Sequence, residues 1–358
     1  MLEIMNPLSP QADRAAGAIV GAFIGDALGL GPHWYYDLGE LRRDFGGWIS
    51  DYTAPKPDAR YHRGMKAGEL SQTGLLLLML LRSVAENGGY NEGDFTRRME
   101  DELLPKLDGR PHGGPGGYTN HSIRQVWHSR VREKKPWGET AGHADTSEAA
   151  ERVVILAARY ADDPFRAAEA AHANTLLTQN DPLVVQHSVA FASVLAALVR
   201  GEKLDTRLSG RLMNLVEDGT LPFVAETSAA AVPGGKKSFG FASPDALLLP
   251  SWIAGAANDP DIRIEPAWKV AQVYGMSCAI SFVLPAAYYL AARFPDDFES
   301  AVLHALNGGG QNMSRACLTG ALVGAQVGLG GIPRRFIDGL VDGGEIVKLA
   351  RAIFEQRP

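Results

Sequence analysis

The sequence lacks the features that mark secreted, nucleic-acid-binding and membrane-spanning proteins. Two cysteines, Cys278 and Cys317, in 358 residues are too few for a disulfide scaffold and suit a reducing compartment. Lys and Arg (35) are fewer than Asp and Glu (41), whereas nucleic-acid binders carry a basic excess. Residues 1–16 contain no apolar stretch typical of a signal peptide, and the longest apolar run, 75–81, is far below the ~20 residues that span a bilayer. We therefore expect a cytoplasmic protein without nucleic-acid or membrane partners.

Apolar residues are abundant, at 46%, and they recur mostly at the spacing of an amphipathic helix. Helices are predicted at 12–30, 75–85, 95–107, 147–160, 165–176, 182–200, 244–256, 276–292, 298–306, 314–329, 333–340 and 345–354. No stretch alternates apolar and polar residues for long enough to predict a strand. The apolar helices on both sides of the segment 201–207 favour one shared core, so we predict a compact all-α protein with a single domain over residues 1–358.

Three glycine- and proline-marked segments are long enough to be functional loops: 51–68, 108–118 and 232–240. Structureless loops of this length inside a compact fold often carry binding or catalytic residues. The last one contains Val-Pro-Gly-Gly-Lys-Lys, which lacks the spacing of a Walker phosphate loop. We interpret it as a surface segment.

Glycine recurs every four residues at Gly17, Gly21, Gly25 and Gly29, and again at 320, 324 and 328. On a helix this spacing places each set along one face. Each glycine inside a helix costs ~1 kcal/mol relative to alanine, so a compensating interaction is needed. The pattern predicts two helices whose backbones pack closely together.

Asp26 lies on the first glycine helix, and the second is preceded by the segment 307–312, Asn-Gly-Gly-Gly-Gln-Asn. If the two helices cross, Asp26 and this glycine loop are expected to meet. One interpretation is that the loop exposes backbone N–H groups for an anionic or polar ligand. The alternative is an ordinary helix start capped by Asn312 or Ser314.

Three segments resemble signatures of the ADP-ribosylglycohydrolase family. Residues 21–29 (Gly-Ala-Phe-Ile-Gly-Asp-Ala-Leu-Gly) resemble its N-terminal signature, and 305–314 (Ala-Leu-Asn-Gly-Gly-Gly-Gln-Asn-Met-Ser) its C-terminal one. Residues 177–182 (Leu-Thr-Gln-Asn-Asp-Pro) resemble its Thr-His-x-Asp segment. The resemblance runs in order along nearly the whole chain. It implies an all-α fold with a central cleft that usually holds two magnesium ions.

The sequence departs from the family pattern at the carboxylates. The family's Thr-Asp-Asp-Thr segment corresponds to 70–73, Leu-Ser-Gln-Thr, so Ser71 and Gln72 replace aspartates. In the C-terminal signature, Gly-Gly-Asp-x-Asp-Thr, the aspartates are replaced by Gln311 and Met313. A family glutamate after the first glycine helix is replaced near His33.

Magnesium prefers carboxylate oxygens, and four of them are missing. Amide and hydroxyl oxygens are neutral, and the thioether of Met313 is too soft for magnesium. We therefore predict that the family's binuclear magnesium site is absent and that no other cofactor is required.

Further segments resemble the branch of the family that includes jellyfish J1 crystallins and selenoprotein J. These are 31–36 (Gly-Pro-His-Trp-Tyr-Tyr), 116–120 (Gly-Gly-Tyr-Thr-Asn) and 144–152 (Ala-Asp-Thr-Ser-Glu-Ala-Ala-Glu-Arg). This branch contains lens structural proteins. Three functions remain open: a hydrolase of a ribosyl or ADP-ribosyl compound that works without magnesium, an inactive structural or binding protein, and another glycosidic or amide hydrolase that reuses the cleft.

Without a metal, carboxylates or histidine must activate water and assist the oxocarbenium-like transition state. The catalytic candidates are Asp26, His33, Asp145 and Glu148. Asp145 and Glu148 form either an acid/base pair on one helix face or a capping box at a helix start. His33, among aromatic residues, is either a packed histidine or a site residue.

The candidates for binding a small ribosyl or nucleotide ligand are Trp34, Tyr35, Ser71, Gln72, Tyr118, Thr119, Asn120, Gln179, Asp181, Gly309, Gly310, Gln311, Asn312 and Ser314. The aromatic members either stack on a base or ribose or belong to the core. The polar members, if buried, must pair with each other, with water or with a ligand. Asp181 precedes a proline and an apolar helix, which also favours a helix cap.

Overall fold

The computed structural model describes residues 8–224 and 242–355, and these form an all-α fold. Within these ranges the described β-structure consists of two isolated β-bridges, Gly142 with Gln179 and Thr146 with Ala279. The all-α prediction is therefore confirmed. The predicted loop at 232–240 lies outside the described residues.

The described part of the chain contains seventeen α-helices, and the longest connection that is described throughout is the segment 46–71. They are α1 (Pro10–Leu30), α2 (Leu38–Phe45), α3 (Gln72–Asn87), α4 (Glu92–Arg98), α5 (His121–Trp127), α6 (Glu148–Arg152), α7 (Val154–Arg159), α8 (Pro164–Thr175), α9 (Pro182–Val199), α10 (Leu208–Glu217), α11 (Leu249–Asn258), α12 (Val270–Tyr274), α13 (Ile280–Arg293), α14 (Phe298–Leu306), α15 (Asn312–Val327), α16 (Arg334–Gly339) and α17 (Gly343–Glu355). Short 3₁₀ turns and two π-helical turns, Met99–Leu103 and His128–Arg132, complete the described helical structure.

Helix α1 lies at the centre of the fold and packs along α15. Nearly all of its residues from Ala15 onward are buried, including all four glycines. A Cβ atom built on Gly21 would lie 2.1 Å from the carbonyl oxygen of Gly320, and one on Gly25 would lie 2.1 Å from that of Ala316. The predicted close packing of the two glycine helices is thus confirmed, and we call it the glycine seam. Gly328 follows the end of α15 with a φ of +73° and terminates the helix.

The buried apolar residues form one continuous cluster that includes Leu198 and Leu208, on either side of the segment 201–207. Helix α9 is buried along most of its length, as its apolar sequence predicts. In the described part of the chain α9 alone is long and apolar enough to cross a membrane, and 78% of it is buried inside the fold. That burial is the usual pattern of a core helix.

Several helix starts follow the cap rules, and two predicted caps are wrong. Asp181 accepts hydrogen bonds from the N–H groups of Leu183 and Val184, so it caps α9 as expected. Helix α15 instead begins after Gln311, which makes no side-chain cap bond, so neither Asn312 nor Ser314 is the N-cap.

Candidate functional site

Two adjoining cavities lie beside the C-terminal end of α1. The inner chamber, of about 270 Å³, is lined by residues that include Tyr118, Asn120 and Glu148. The outer groove, of about 730 Å³, is lined by residues that include Tyr35 and Arg60. The two share four residues as a common wall: His33, Trp34, Tyr61 and Cys278.

Trp34 is held at this wall in an unusual backbone conformation. Its φ is +63°, in the left-handed region that a bulky side chain rarely adopts. Its N–H donates to the carbonyl of Gly310, while the N–H of Gly310 donates to the carbonyl of Tyr35. The indole N–H also donates to Oε1 of Gln311, at 2.5 Å. These bonds join the 34–35 turn to the start of α15, and strained backbone of this kind is concentrated at functional sites.

Aromatic rings surround Trp34 edge to face. Its ring centroid lies 4.7 Å from that of Tyr61 and 4.7 Å from that of Tyr118. Tyr61 and Tyr118 are in turn 5.3 Å apart. Such T-shaped contacts stabilise the arrangement of the rings.

His33 belongs to the same wall and is a half-buried, neutral histidine. Its Nδ1 is 3.0 Å from Oδ1 of Asn312. Burial, together with the neighbouring His62, lowers the pKa of His33 well below its usual value. Nε2 has no hydrogen-bond partner among the described residues.

Glu148 and Asp145 both line the inner chamber, but they are not a capping box. Helix α6 begins at Glu148 after Ser147, so Asp145 lies outside the helix and cannot cap it. Burial raises the pKa of Glu148, which accepts a hydrogen bond from the hydroxyl of Thr146. Asp145 is exposed. The chamber thus contains one buried carboxyl group and one exposed to solvent.

Behind Glu148, two further carboxyl groups are fully buried. Burial and the charge of Glu148 raise the pKa of Glu151 to about 8, and Ser147 donates to its Oε1 at 2.9 Å. Burial raises the pKa of Asp26 to about 6. Asp26 accepts from the N–H and the hydroxyl of Ser71, at 2.9 and 2.5 Å.

Asp26 therefore does not meet the glycine loop as expected. The loop contacts the chain around Tyr35 and Met276 instead. Its N–H groups at Gly310 and Gln311 donate to the carbonyls of Tyr35 and Met276. The expectation that this loop, with Gly309, exposes its N–H groups to an anion is wrong at these two positions, because tertiary hydrogen bonds already use them.

The neutral residues that replace the family's carboxylates are mostly paired within the protein. Ser71 caps α3 and binds Asp26, and Gln311 binds Trp34 and donates to Ser314 at 2.6 Å. Oε1 of Gln72 accepts from the N–H of Asn120. In the described structure Nε2 of Gln72 is left without a partner. Internal pairing thus accounts for most of this set but not for all of it.

Other predicted residues support the site from behind. Gln179 accepts from the N–H of Ala149 and donates to the carbonyls of Ala144 and Thr146, so it holds the segment that carries Asp145. Thr119 is buried, and within the described ranges its hydroxyl has no partner. Among the ligand-binding candidates, those lining either cavity are Trp34, Tyr35, Tyr118, Asn120 and Gln311.

The sequence analysis missed several residues at the site. Tyr61 and His62 come from the long loop 51–68, whose length was the available signal. Arg124 lies on α5, which the apolar pattern did not predict, and in the described part of the chain its buried Nε has no partner. The position of Cys278 before an apolar helix predicts a core thiol. The structure shows instead that Cys278 is half-buried and lines both cavities.

The donor atoms present do not fit a binuclear magnesium site. The amide oxygen of Gln311 is occupied by Trp34, the hydroxyl of Thr73 accepts from Asn120, and Met313 offers sulfur. Among the described residues no three His, Cys, Asp or Glu side chains are grouped so that they can hold a metal ion. Because magnesium needs carboxylates, the family's metal chemistry does not fit the residues of this chain.

Comparisons with known proteins match the chain over almost its whole length. The family model described as ADP-ribosylglycohydrolase matches residues 7–358. Crystallin J1A of Tripedalia cystophora is 24% identical and covers 95% of this chain and 96% of its own. An uncharacterized protein of Archaeoglobus fulgidus is 23% identical, with 96% of both chains covered. A solved structure described as an ADP-ribosylglycohydrolase-related protein complex is 19% identical, covers 98% of this chain and 99% of its own, and has a TM-score of 0.63, which shows the shared fold.

Proposed function

Because the chain belongs to the ADP-ribosylglycohydrolase family, we propose that its inner chamber hydrolyses the glycosidic bond of a ribosyl or ADP-ribosyl compound without the family's two magnesium ions. One observation carries the proposal. Glu148 and Asp145 line the same chamber in opposite environments, one buried with a raised pKa and one exposed. Glycoside hydrolysis usually requires two carboxyl groups in different environments, a protonated one as acid and an ionised one as base.

In the proposed reaction, Glu148 is the general acid. Its carboxyl proton passes to the leaving group as the bond between that group and the anomeric carbon breaks. Asp145, which is in contact with water, accepts a proton from the water molecule that forms the new bond to the anomeric carbon. Glu148 leaves this step as a carboxylate and Asp145 as an acid. A proton exchanged through solvent restores both.

The wall around the chamber supports a ligand of this class. Tyr61 and Tyr118 present flat ring surfaces on which a ribose or a base can stack. Arg124 places a guanidinium group in the chamber, and Arg60 places one in the outer groove. Two cations in adjoining cavities suit a ligand that carries phosphate as well as sugar.

The alternative is a protein that retains the fold and binds or packs without turnover. It is supported by the internal pairing of Ser71, Gln311 and Asn312 and by the likeness to a protein named as a crystallin. This alternative predicts ligand binding without hydrolysis, or no binding.

The first test is thermal unfolding with ADP-ribose, with and without magnesium. At ~100 times its dissociation constant, ADP-ribose should add roughly 2.7 kcal/mol of stability in the absence of magnesium. A stabilisation that requires magnesium would contradict the metal-free proposal. No stabilisation in either condition would favour the structural role.

The second test is hydrolysis of ADP-ribosylated substrates in the presence of EDTA. Glu148→Gln should lower kcat by about 100-fold or more, and Asp145→Asn by a similar factor, since proton transfer contributes ~10²–10⁴. Glu169→Gln, an exposed residue on α8, is the matched control and should keep full activity. Equal activity in Glu148→Gln and the control would rule out Glu148 as the acid.

A further inference from the structure

The side-chain amide of Asn312 can adopt only one orientation. Its Nδ2 lies 3.1 Å from the carbonyl oxygen of Pro32 and 3.5 Å from that of Gly29. Carbonyl oxygens accept hydrogen bonds, so the NH₂ group must face them. A flipped amide would place its oxygen against two other oxygens. Oδ1 therefore points to His33.

This orientation determines the proton position on His33. Nδ1 of His33 lies 3.0 Å from Oδ1 of Asn312, and Oδ1 can only accept. Nδ1 must then carry the hydrogen. In a neutral imidazole one ring nitrogen is protonated and the other is not, so Nε2 carries a lone pair.

The surroundings of His33 keep the ring neutral. Its ring is 4.3 Å from that of Trp34 and 5.5 Å from that of His62, centroid to centroid. Burial lowers the pKa of His62 to about 4, and its proximity further disfavours a positive charge on His33. Nε2 is buried and, in the described part of the chain, unpartnered, although the ring lines both cavities. An unpaired buried acceptor costs stability unless something donates to it.

We propose that Asn312 fixes His33 in the Nδ1–H tautomer, so that Nε2 is a permanent hydrogen-bond acceptor for a hydroxyl group of the bound sugar. This inference rests on the proposed function and deepens it, because a fixed hydrogen-bond acceptor favours a ligand that carries a ribose hydroxyl group. Because burial disfavours the charged imidazolium, Nε2 can accept a hydrogen bond from a hydroxyl group without taking up its proton. Asn312 is a positioning residue, and His33 determines specificity.

The tautomer can be measured without any ligand. In ¹⁵N-labelled protein, we expect long-range proton–nitrogen spectra of His33, assigned through its contacts with Trp34, to show protonated Nδ1 and unprotonated Nε2. Asn312→Ala should change this to a mixture of tautomers. A proton on Nε2 in the wild type would overturn the inference, and so would an unchanged tautomer in Asn312→Ala. The wild-type spectrum is decisive even where the variant fails to fold.

Ligand binding supplies the second measurement. On addition of ADP-ribose the Nε2 resonance should shift while Nδ1 stays protonated. His33→Phe, which keeps an aromatic ring beside Trp34, should weaken ADP-ribose binding about fivefold, the loss of one hydrogen bond of ~1 kcal/mol. The control is His304→Phe, at a histidine that stacks on Phe294 outside the cavities, and this variant should bind normally.

The outcomes separate this inference from the proposed function. ADP-ribose that binds tightly without moving the Nε2 resonance would overturn the acceptor role while leaving the proposed function intact. Failure of ADP-ribose to bind would refute the proposed ligand class. In that case the tautomer of the unliganded protein decides the inference about His33.

Discussion

The glycine seam between α1 and α15 and the cavities beside the C-terminal end of α1 are built in opposite ways. In the seam the backbones of α1 and α15 touch, and a Cβ atom on Gly17 would lie 2.3 Å from the carbonyl oxygen of Gly324. Around the cavities, within the described residues, polar atoms such as Nε2 of His33 and Nε2 of Gln72 are buried without partners.

The glycine seam stabilises the fold, whereas the residues around the cavities contain local features that lower its stability. Close packing gives the seam dispersion contacts along its length and leaves no space for larger side chains. The residues around the cavities include left-handed backbone at Trp34 and His62 and, behind the inner chamber, buried carboxyl groups with raised pKa values. Unfavourable local features of this kind are usually retained for function.

The largest expected effect is in the seam. Gly25→Ala would place a Cβ atom 2.1 Å from the carbonyl oxygen of Ala316, a backbone atom that cannot move away. We expect a loss of at least about 3 kcal/mol in the free energy of unfolding, measured by denaturant titration.

Gly210→Ala on α10 is the matched control. A Cβ atom on Gly210 would meet no heavy atom of the described structure within 4 Å, so the change should stabilise by ~0.5–1 kcal/mol. Equal effects at Gly25 and Gly210 would show that the seam is looser than its geometry indicates.

The second prediction concerns pH and the carboxyl groups behind the wall. Glu151 has a folded-state pKa of about 8, above its ordinary value of 4.5, so the folded protein binds a proton that the unfolded chain releases. Its contribution to stability is complete below pH 4.5 and is lost as pH rises to 8. Between these values the free energy of unfolding should fall by roughly 1.4 kcal/mol per pH unit.

Glu151→Gln should flatten this slope up to pH 8. Asp26→Asn should flatten the curve only between the ordinary pKa of 3.8 and the folded value of about 6, which makes it the matched comparison. Unfolding curves recorded from pH 4 to 9 test both. A wild-type curve that rises between pH 6 and 8 would contradict the assignment to Glu151.

The third prediction separates a helix cap from a buried contact. Ser71 caps α3 and also donates to Asp26, whereas Ser9 only caps α1. Ser9→Ala should cost ~1 kcal/mol. Ser71→Ala should cost about 2 kcal/mol, because it also removes the hydroxyl donor to the buried carboxyl group of Asp26 and leaves only the backbone N–H of residue 71. Thermal unfolding of both variants measures the difference. Equal losses would mean that the hydrogen bond to Asp26 contributes nothing to the free energy of unfolding.

The smallest expected effect is at the wall itself. Trp34→Phe keeps an aromatic ring near Tyr61 and Tyr118 but removes the indole N–H that binds Gln311. We expect a loss of about 1 kcal/mol in unfolding free energy. The same variant should bind ADP-ribose more weakly, and unchanged stability would show that the Gln311 bond contributes nothing.

The sequence predicted the long helices well and the short ones poorly. Periodic apolar residues located α1, α3, α9 and α14 to within a few residues. The predicted helix at 276–292 begins only at Ile280, because the backbone before it bonds elsewhere: Met276 accepts from Gln311, and Ile280 donates to Asp145. The segment predicted as one helix at 147–160 is interrupted at Val153.

The site was predicted in part. The segments that resemble the family predict His33, Trp34, Tyr118 and Glu148, and all four line the inner chamber. Arg124 lies more than a hundred residues from Gln311 in the chain, so no local pattern could show that the two line one chamber.

The sequence by itself determined the features that depend on neighbours along the chain. These are the helical class, the cap at Asp181 and the close approach of the two helices that carry regularly spaced glycines. These follow from residue spacing because side chains three or four positions apart share a helix face. Only the tertiary structure decided which polar groups are paired, that the glycine loop bonds Tyr35 and Met276, and that His33 meets Asn312. The reason is physical: pairing and desolvation depend on distances between segments far apart in the chain, and these distances set both the raised pKa values and the tautomer.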